Sequence, residues 1–307
     1  MVDTKKVVII GCGNVGMSYA YALLNQKTYV NELCLIDLNK ERLEGEVMDL
    51  NHCLAFSPSK IKIEVGDYSC CKDADLIVVS AGANQKPGET RLDLLKKNAS
   101  IFKGIVENVM ASGFNGIFMI ATNPVDIMTY ITQKYSGLPH HKVIGTGTSL
   151  DTARLRYLIG DKLQVDPANV HGYVIGEHGD SEFVPWSNIN VGLQKISDFL
   201  YEEDMKAIAE DVKNAAYEII NKKGATYYGI GMTLVKLTNA ILGNEHSIAV
   251  VSNYDKNNDV YVGLPAILDG TGVAKKIYFD LNKEEEKKLQ NSIDIIRKNI
   301  DDIFANE

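Results

Sequence analysis

The apolar positions of this chain fall into short unbroken runs separated by longer segments of helical periodicity. Val7-Val8-Ile9-Ile10, Leu33-Cys34-Leu35-Ile36, Leu76-Ile77-Val78-Val79 and Ile117-Phe118-Met119-Ile120 are continuously apolar, as in strands buried on both faces of a parallel sheet. Residues 61–65 alternate like a strand, and Lys142-Val143-Ile144-Gly145 closes the series. Helix-permissive stretches lie between, over about 14–26, 40–54, 92–112 and 125–134. This alternation predicts a doubly wound parallel sheet over residues 1–146. The second half reads differently. Ser149 is the expected cap of a helix over 150–162, and 170–175 reads as a strand. Residues 202–222 carry an apolar stripe through Met205, Ile208, Val212, Ala216 and Ile219. A glycine-interrupted helix is expected over 225–242, then antiparallel strands over 246–253, 260–264 and near 267 and 273–278. Asn282 and Glu285 stand in capping-box spacing before a last helix. Residues 147–307 are therefore expected to form an α+β domain.

Chemistry enters at the strand ends, where ligands of such sheets bind. Gly11-Cys12-Gly13-Asn14-Val15-Gly16 follows the first strand and opens the first helix. In G-x-G-x-x-G the first glycine makes the turn, the second admits a pyrophosphate, and the third lets helix and strand pack closely. Asp37 ends the next strand, 21 residues after Gly16, the place of the carboxylate that holds an adenine ribose. A carboxylate there repels a 2′-phosphate, so the fingerprint points to a Rossmann domain that takes NAD rather than NADP; the blander reading of Asp37 is a strand-end turn residue. The segment from Ser80 to Arg91 is polar, contains Gly82, Ala83, Gln85 and a Pro-Gly pair, and is placed to be a lid over the crevice. Asn123, before Pro124, offers a donor and an acceptor there, or is only an Asn-Pro turn. Asp151 and Arg154 share a helix face, which fits either a surface ion pair or a carboxylate and guanidinium serving a site. Gly176-Glu177-His178-Gly179-Asp180-Ser181 sets a histidine between glycines. By itself it reads first as a solvated turn.

Length and charge narrow the classes. The 307 residues suit two domains, and a net charge of -8 argues against a nucleic-acid or polybasic membrane partner. The opening apolar run is too short for a signal peptide, and no stretch approaches the roughly 18–20 apolar residues of a membrane helix. The five cysteines all precede residue 72, lack zinc-ligand spacing, and are expected to be reduced thiols of a cytoplasmic protein with no metal.

Taken together, these motifs resemble the L-lactate dehydrogenases of the lactate/malate dehydrogenase superfamily over nearly the whole length. The resemblance rests on residues 11–16, Asp37, residues 81–91, Thr122-Asn123-Pro124, Leu150-Asp151-Thr152-Ala153-Arg154 and residues 176–181. It implies hydride exchange between NAD and a 2-keto or 2-hydroxy acid, with His178 as proton donor and acceptor. Asp151 would orient the imidazole, Arg154 grip the substrate carboxylate, and Arg91 polarise the carbonyl when the loop closes. It also places Asn123 and Thr226 at the substrate. Gly11, Gly13, Asn14, Val15, Gly16, Asp37, Gly82, Ala83, Asn123 and Ile230 are implied at the cofactor.

Malate-specific relatives carry an arginine where this chain has neutral Gln85. A dicarboxylate would leave an uncompensated charge there, so the resemblance favours pyruvate and lactate. Arg156 and His171 match positions that bind fructose 1,6-bisphosphate in some bacterial members, although non-allosteric relatives carry them too. A homotetramer is implied. The competing readings are malate dehydrogenase or another 2-hydroxy acid dehydrogenase, a non-catalytic NAD-binding protein, and an NAD-dependent glycoside hydrolase. The last would call for a Cys/His metal site in the second half, where no cysteine occurs.

Overall fold

A computed structural model describes residues 4–83, 88 and 90–305, with the backbone alone of Arg91. The first half alternates as expected: β1 (Lys5–Ile10), α1 (Asn14–Leu24), β2 (Val30–Ile36), α2 (Lys40–Cys53), β3 (Lys62–Val65), β4 (Leu76–Val79), α3 (Arg91–Ala111), β5 (Ile117–Ile120), α4 (Val125–Ser136) and β6 (Val143–Gly145). The second half comprises α5 (Ser149–Leu163), β7 (Val170–His171), β8 (Asn190–Val191), β9 (Gln194–Lys195), α6 (Glu202–Lys223), α7 (Tyr228–Leu242), β10 (Ser247–Asp255), β11 (Val260–Asp269), β12 (Gly272–Lys276) and α8 (Lys283–Phe304).

The strands of the first half pair in parallel in the order β6-β5-β4-β1-β2-β3. The order reverses beside β1, so the crevice opens over the carboxyl ends of β1 and β4. The antiparallel strands of the second half do not make a separate sheet. Ser252 of β10 pairs with Gly145 of β6, and β10, β11 and β12 extend the first sheet to nine strands. Both core layers are shared accordingly. Leu234, Leu237 and Val251 join Val7 and Ile9 on one face, while Tyr261, Ile293 and Ile296 join Val8 and Phe118 on the other. A third cluster, including Leu155, Val174 and Val212, lies under α5 and α6.

Three local expectations change. Ser149 is the first residue of α5 rather than its cap, and its hydroxyl donates to the Val250 carbonyl. The strand expected over 170–175 stops at His171 because the chain bends into short pairings, with Ile175 facing Phe183 and Gly176 facing Gly263. The helix expected from 225 starts at Tyr228, leaving Thr226 in a short loop. The reading of five reduced thiols is also corrected: Cys34 and Cys70 are disulfide-bonded, and Cys12, Cys53 and Cys71 are free. Gly66 makes room for that bond, since a Cβ there would lie 2.1 Å from the Cys34 sulfur. A separation of 36 residues gave no sequence cue to the pairing.

Candidate active site

The glycine turn forms for steric reasons. Gly11 has φ +94°, and a Cβ there would lie 2.4 Å from the Ala81 amide nitrogen. At Gly16 it would lie 2.2 Å from the Gly11 carbonyl oxygen. Gly13 differs: a Cβ there would meet nothing within 4 Å. Its missing side chain leaves open space beside the first turn of α1, whose amides have no side-chain cap. Exposed Asn14 and half-buried Val15 begin that helix. An uncapped helix start beside open space fits the pyrophosphate of NAD. Asp37 accepts from the Cys12 and Asn39 amides at 2.8 and 2.9 Å. The carboxylate is thus a turn residue at the end of β2, the place where the sequence expects the group that holds a ribose.

Across the crevice, Gly82 and Ala83 continue from β4, with the Ala83 amide held by Asn98 at 2.8 Å. Thr122 donates to the Ala81 carbonyl at 2.7 Å, which fixes exposed Asn123 at the end of β5. Gln85 lies outside the described residues. Arg91 is placed as the first residue of α3, behind the Thr90 cap, and its side chain also lies outside them. Half-buried Ile230 belongs to α7, which packs against two other helices, α1 and α5. A Cβ at Gly231 would strike Ser18 of α1, and one at Gly229 would strike Leu150 of α5.

The histidine is held from three directions. Thr148 donates to the Val174 carbonyl, and the Val174 amide donates to Thr152, so α5 is in fixed register with the chain entering the loop. Gly176, at φ +100°, pairs with Gly263 of β11 through two 3.0 Å hydrogen bonds. The third hold escaped sequence reasoning. Asp126, 2% exposed in the first turn of α4, accepts the His178 amide at 2.8 Å and the Ser252 hydroxyl. Burial pushes its carboxyl up to about 6, against the bonds from Ser252 and His178. An aspartate at the start of a helix looks like ordinary dipole matching; its only other cue is the apolar company of Val125, Ile127 and Met128.

These holds place the imidazole 2.7 Å from Asp151, Nδ1 to carboxylate, and Asp151 also accepts from Arg154 at 2.7 Å. The Asp151 side chain is 1% exposed, that of Arg154 13% and that of His178 23%. Burial opposes a charged imidazole, but Asp151 and Glu182 outweigh it and hold His178 well above the usual histidine range. Burial likewise opposes the Asp151 anion, yet His178 and Arg154 keep that carboxyl low. With Nδ1–H committed to Asp151, Nε2 is the nitrogen free to exchange a proton. Glu182, the other carboxylate, was not singled out from the sequence. Arg156 and His171 fall close together: the Arg156 Nε donates to Gly172 at 3.2 Å, and exposed His171 precedes that residue.

Residues 5–145 match the lactate/malate dehydrogenase NAD-binding domain, and residues 148–307 match the family's alpha/beta C-terminal domain. The chain is 52% identical to L-lactate dehydrogenase 2 of Bacillus cereus (strain ZK / E33L) and 51% identical to an L-lactate dehydrogenase of Bacillus pumilus. Each match covers 96% of both chains. A crystal structure of a lactate dehydrogenase from a Medee basin deep-sea metagenome library superposes with a TM-score of 0.96 at 54% identity, covering 98% of this chain and 99% of that one. The ligand-bound minor L-lactate dehydrogenase of Enterococcus mundtii gives 0.95 at 48%, covering 97% and 98%. Among the described residues no helix is long and apolar enough to cross a membrane. The chain belongs to the lactate/malate dehydrogenase family, as an oxidoreductase with an NAD-binding first half and relatives named L-lactate dehydrogenase.

Proposed function

We propose that this chain interconverts pyruvate and L-lactate, and that His178 moves the proton. The observation that carries the reading is the Asp151 carboxylate shared between His178 and Arg154. One group thereby fixes both the proton-transfer residue and a guanidinium fork suited to a substrate carboxylate. NAD supplies the hydride chemistry when bound. In the reductive direction His178 starts protonated and gives its Nε2 proton to the keto oxygen as negative charge develops there. In the oxidative direction neutral His178 takes the hydroxyl proton, and Asp151 stabilises the imidazolium. Arg154 orients the acid, Asn123 bonds near the reacting oxygen, and Arg91 is assigned to polarise the carbonyl. Thr226 is assigned to the substrate and Ile230 to the cofactor.

Neutral Gln85 supports a monocarboxylate over a dicarboxylate, because a second carboxylate would enter a site without a matching charge. The placement of Arg156 beside the His171 strand supports a fructose 1,6-bisphosphate site formed between copies of the chain in a cytoplasmic homotetramer. The experiment is NADH oxidation with pyruvate or oxaloacetate, each with and without fructose 1,6-bisphosphate. Pyruvate is expected to give the higher kcat/KM by at least about tenfold, the worth of one unpaired interaction of 1.4 kcal/mol. Faster turnover of oxaloacetate would overturn the substrate assignment. An unchanged pyruvate curve and oligomer state with saturating bisphosphate would overturn the effector assignment alone.

A further inference from the structure

The pairing of Ile175 with Phe183, through two 3.0 Å backbone bonds, closes residues 176–182 into a pinned loop. Glu182 is the last residue inside it. Closure folds its side chain back beneath the histidine four residues earlier. Its carboxylate lies 3.6 Å from the His178 Nδ1, and the side chain is 6% exposed. The Asp151, His178 and Glu182 ligand-type atoms all fall within 4.8 Å of one another. The imidazole therefore faces two buried carboxylates, and only one of them is its hydrogen-bond partner in the proposed reaction.

We propose that Glu182 is a positioning residue that sets the proton affinity of His178 and so divides the working pH between pyruvate reduction and lactate oxidation. The inference rests on the reading of His178 as the proton-transfer group.

Charge counting makes the case. Among the groups on the imidazole side, Arg154 and protonated His178 together balance Asp151 and Glu182. The third buried acid, Asp126 of α4, lies on the backbone side, accepting the His178 amide and the Ser252 hydroxyl, with its carboxyl pushed up to about 6 by burial. It is unchanged when Glu182 alone is replaced. When His178 gives up its proton, the buried cluster is left with one uncompensated negative charge, which costs free energy at such burial. Each carboxylate therefore makes deprotonation of the histidine harder. Glu182 can itself relieve the excess by taking up a proton. Its carboxyl is pushed up to about 7 by burial, with Asp151 adding to the effect and His178 and Arg154 opposing it. The two groups then titrate as a linked pair rather than singly. Other charges reach Glu182 through a cavity of about 620 Å³ between the loop, α6 and α8: Asp180 on the loop, Glu210 and Lys213 on α6, and Glu284, Lys287 and Lys288 on α8. These six are three of each sign, so their charges sum to zero, and all six stay in place when Glu182 alone is changed. Glu177, the remaining acid of the loop, is engaged by the Ser181 hydroxyl.

The test is Glu182→Gln, which keeps the size of the side chain and removes the charge. The readouts are pH profiles of kcat/KM in both directions and an NMR titration of the His178 ring, assigned by its absence in His178→Asn. The opposite charge removed lies within the distance at which such pairs shift a pKa by about one unit or more. The ring titration and both profile limbs are expected to move to lower pH by about that much. Pyruvate reduction then fails earlier as pH rises, and lactate oxidation begins earlier. Glu182→Asp, which retains a charge, is expected to restore part of the shift. Unmoved ring titration and limbs in Glu182→Gln, with His178→Asn inactive, would overturn this inference alone. Full activity in His178→Asn would instead overturn the proton-transfer reading on which it rests.

Discussion

At the scale of single residues, the site depends on a charge arrangement that local sequence could not price. Asp151 is buried with two cationic partners, and burial makes its loss expensive in a way a surface pair is not. Asp151→Asn keeps the shape but removes the charge that favours imidazolium. The pyruvate-reduction limb, which fails as pH rises through the raised His178 pKa, should move to lower pH in this variant. The kcat/KM for pyruvate should fall roughly 10²- to 10⁴-fold, the range of a positioned acid–base group. Steady-state profiles of the two proteins check both points, and an unshifted limb would deny Asp151 its role. That His178, Asp151 and Arg154 would lie together was legible only through the family resemblance, since residue by residue they read as a turn and a surface ion pair. Asp126 and Glu182 were not, because their importance comes from burial against residues 52 and four positions away, in contacts made by a loop with no helical or strand period.

Among elements, the glycine turn separates folding from binding within one motif. Gly11→Ala places a methyl against the Ala81 backbone at a left-handed φ, and should cost stability, seen as a lowered melting temperature. Gly13→Ala meets no protein atom, so its melting temperature should stay near that of the parent. Its added methyl occupies the space assigned to the pyrophosphate, and NADH affinity by fluorescence titration should weaken roughly tenfold or more, a loss of about 1.4 kcal/mol. Equal NADH affinity in Gly13→Ala would argue that the cofactor does not cross this turn. The central parallel strands were readable because they are buried on both faces and carry unbroken apolar runs, and the helices because they fill the intervals between them. The stretch over 170–183 was not, since its geometry comes from Thr148, Thr152 and Gly263 on other elements.

For the whole molecule, what the sequence suggested as two domains is joined through one sheet. The boundary near residue 146 runs between β6 and β10, which are paired neighbours, and both core layers draw residues from each half. Residues 1–146 produced alone would present an open β6 edge and bare apolar faces. This fragment should aggregate or bind a hydrophobic dye such as ANS, and co-production with residues 147–307 should suppress both. A soluble, monomeric fragment with cooperative melting would refute that dependence. Sequence pattern marked the strand-forming stretches of this sheet but not which edge receives the late ones.

The pairing of β6 with late strands also carries a consequence for biosynthesis. A chain growing on a ribosome emits the glycine turn and Asp37 early, but the partner of its β6 edge only after residue 247. The Ser292 hydroxyl of α8, which fastens the Ser181 backbone at 2.7 Å, emerges later still. Throughout most of translation the nascent polypeptide thus holds an incomplete sheet and a histidine loop without its fastening. Catalytic competence arrives with the final helix, so an interrupted translation product is a client for chaperones or proteases rather than a partial enzyme.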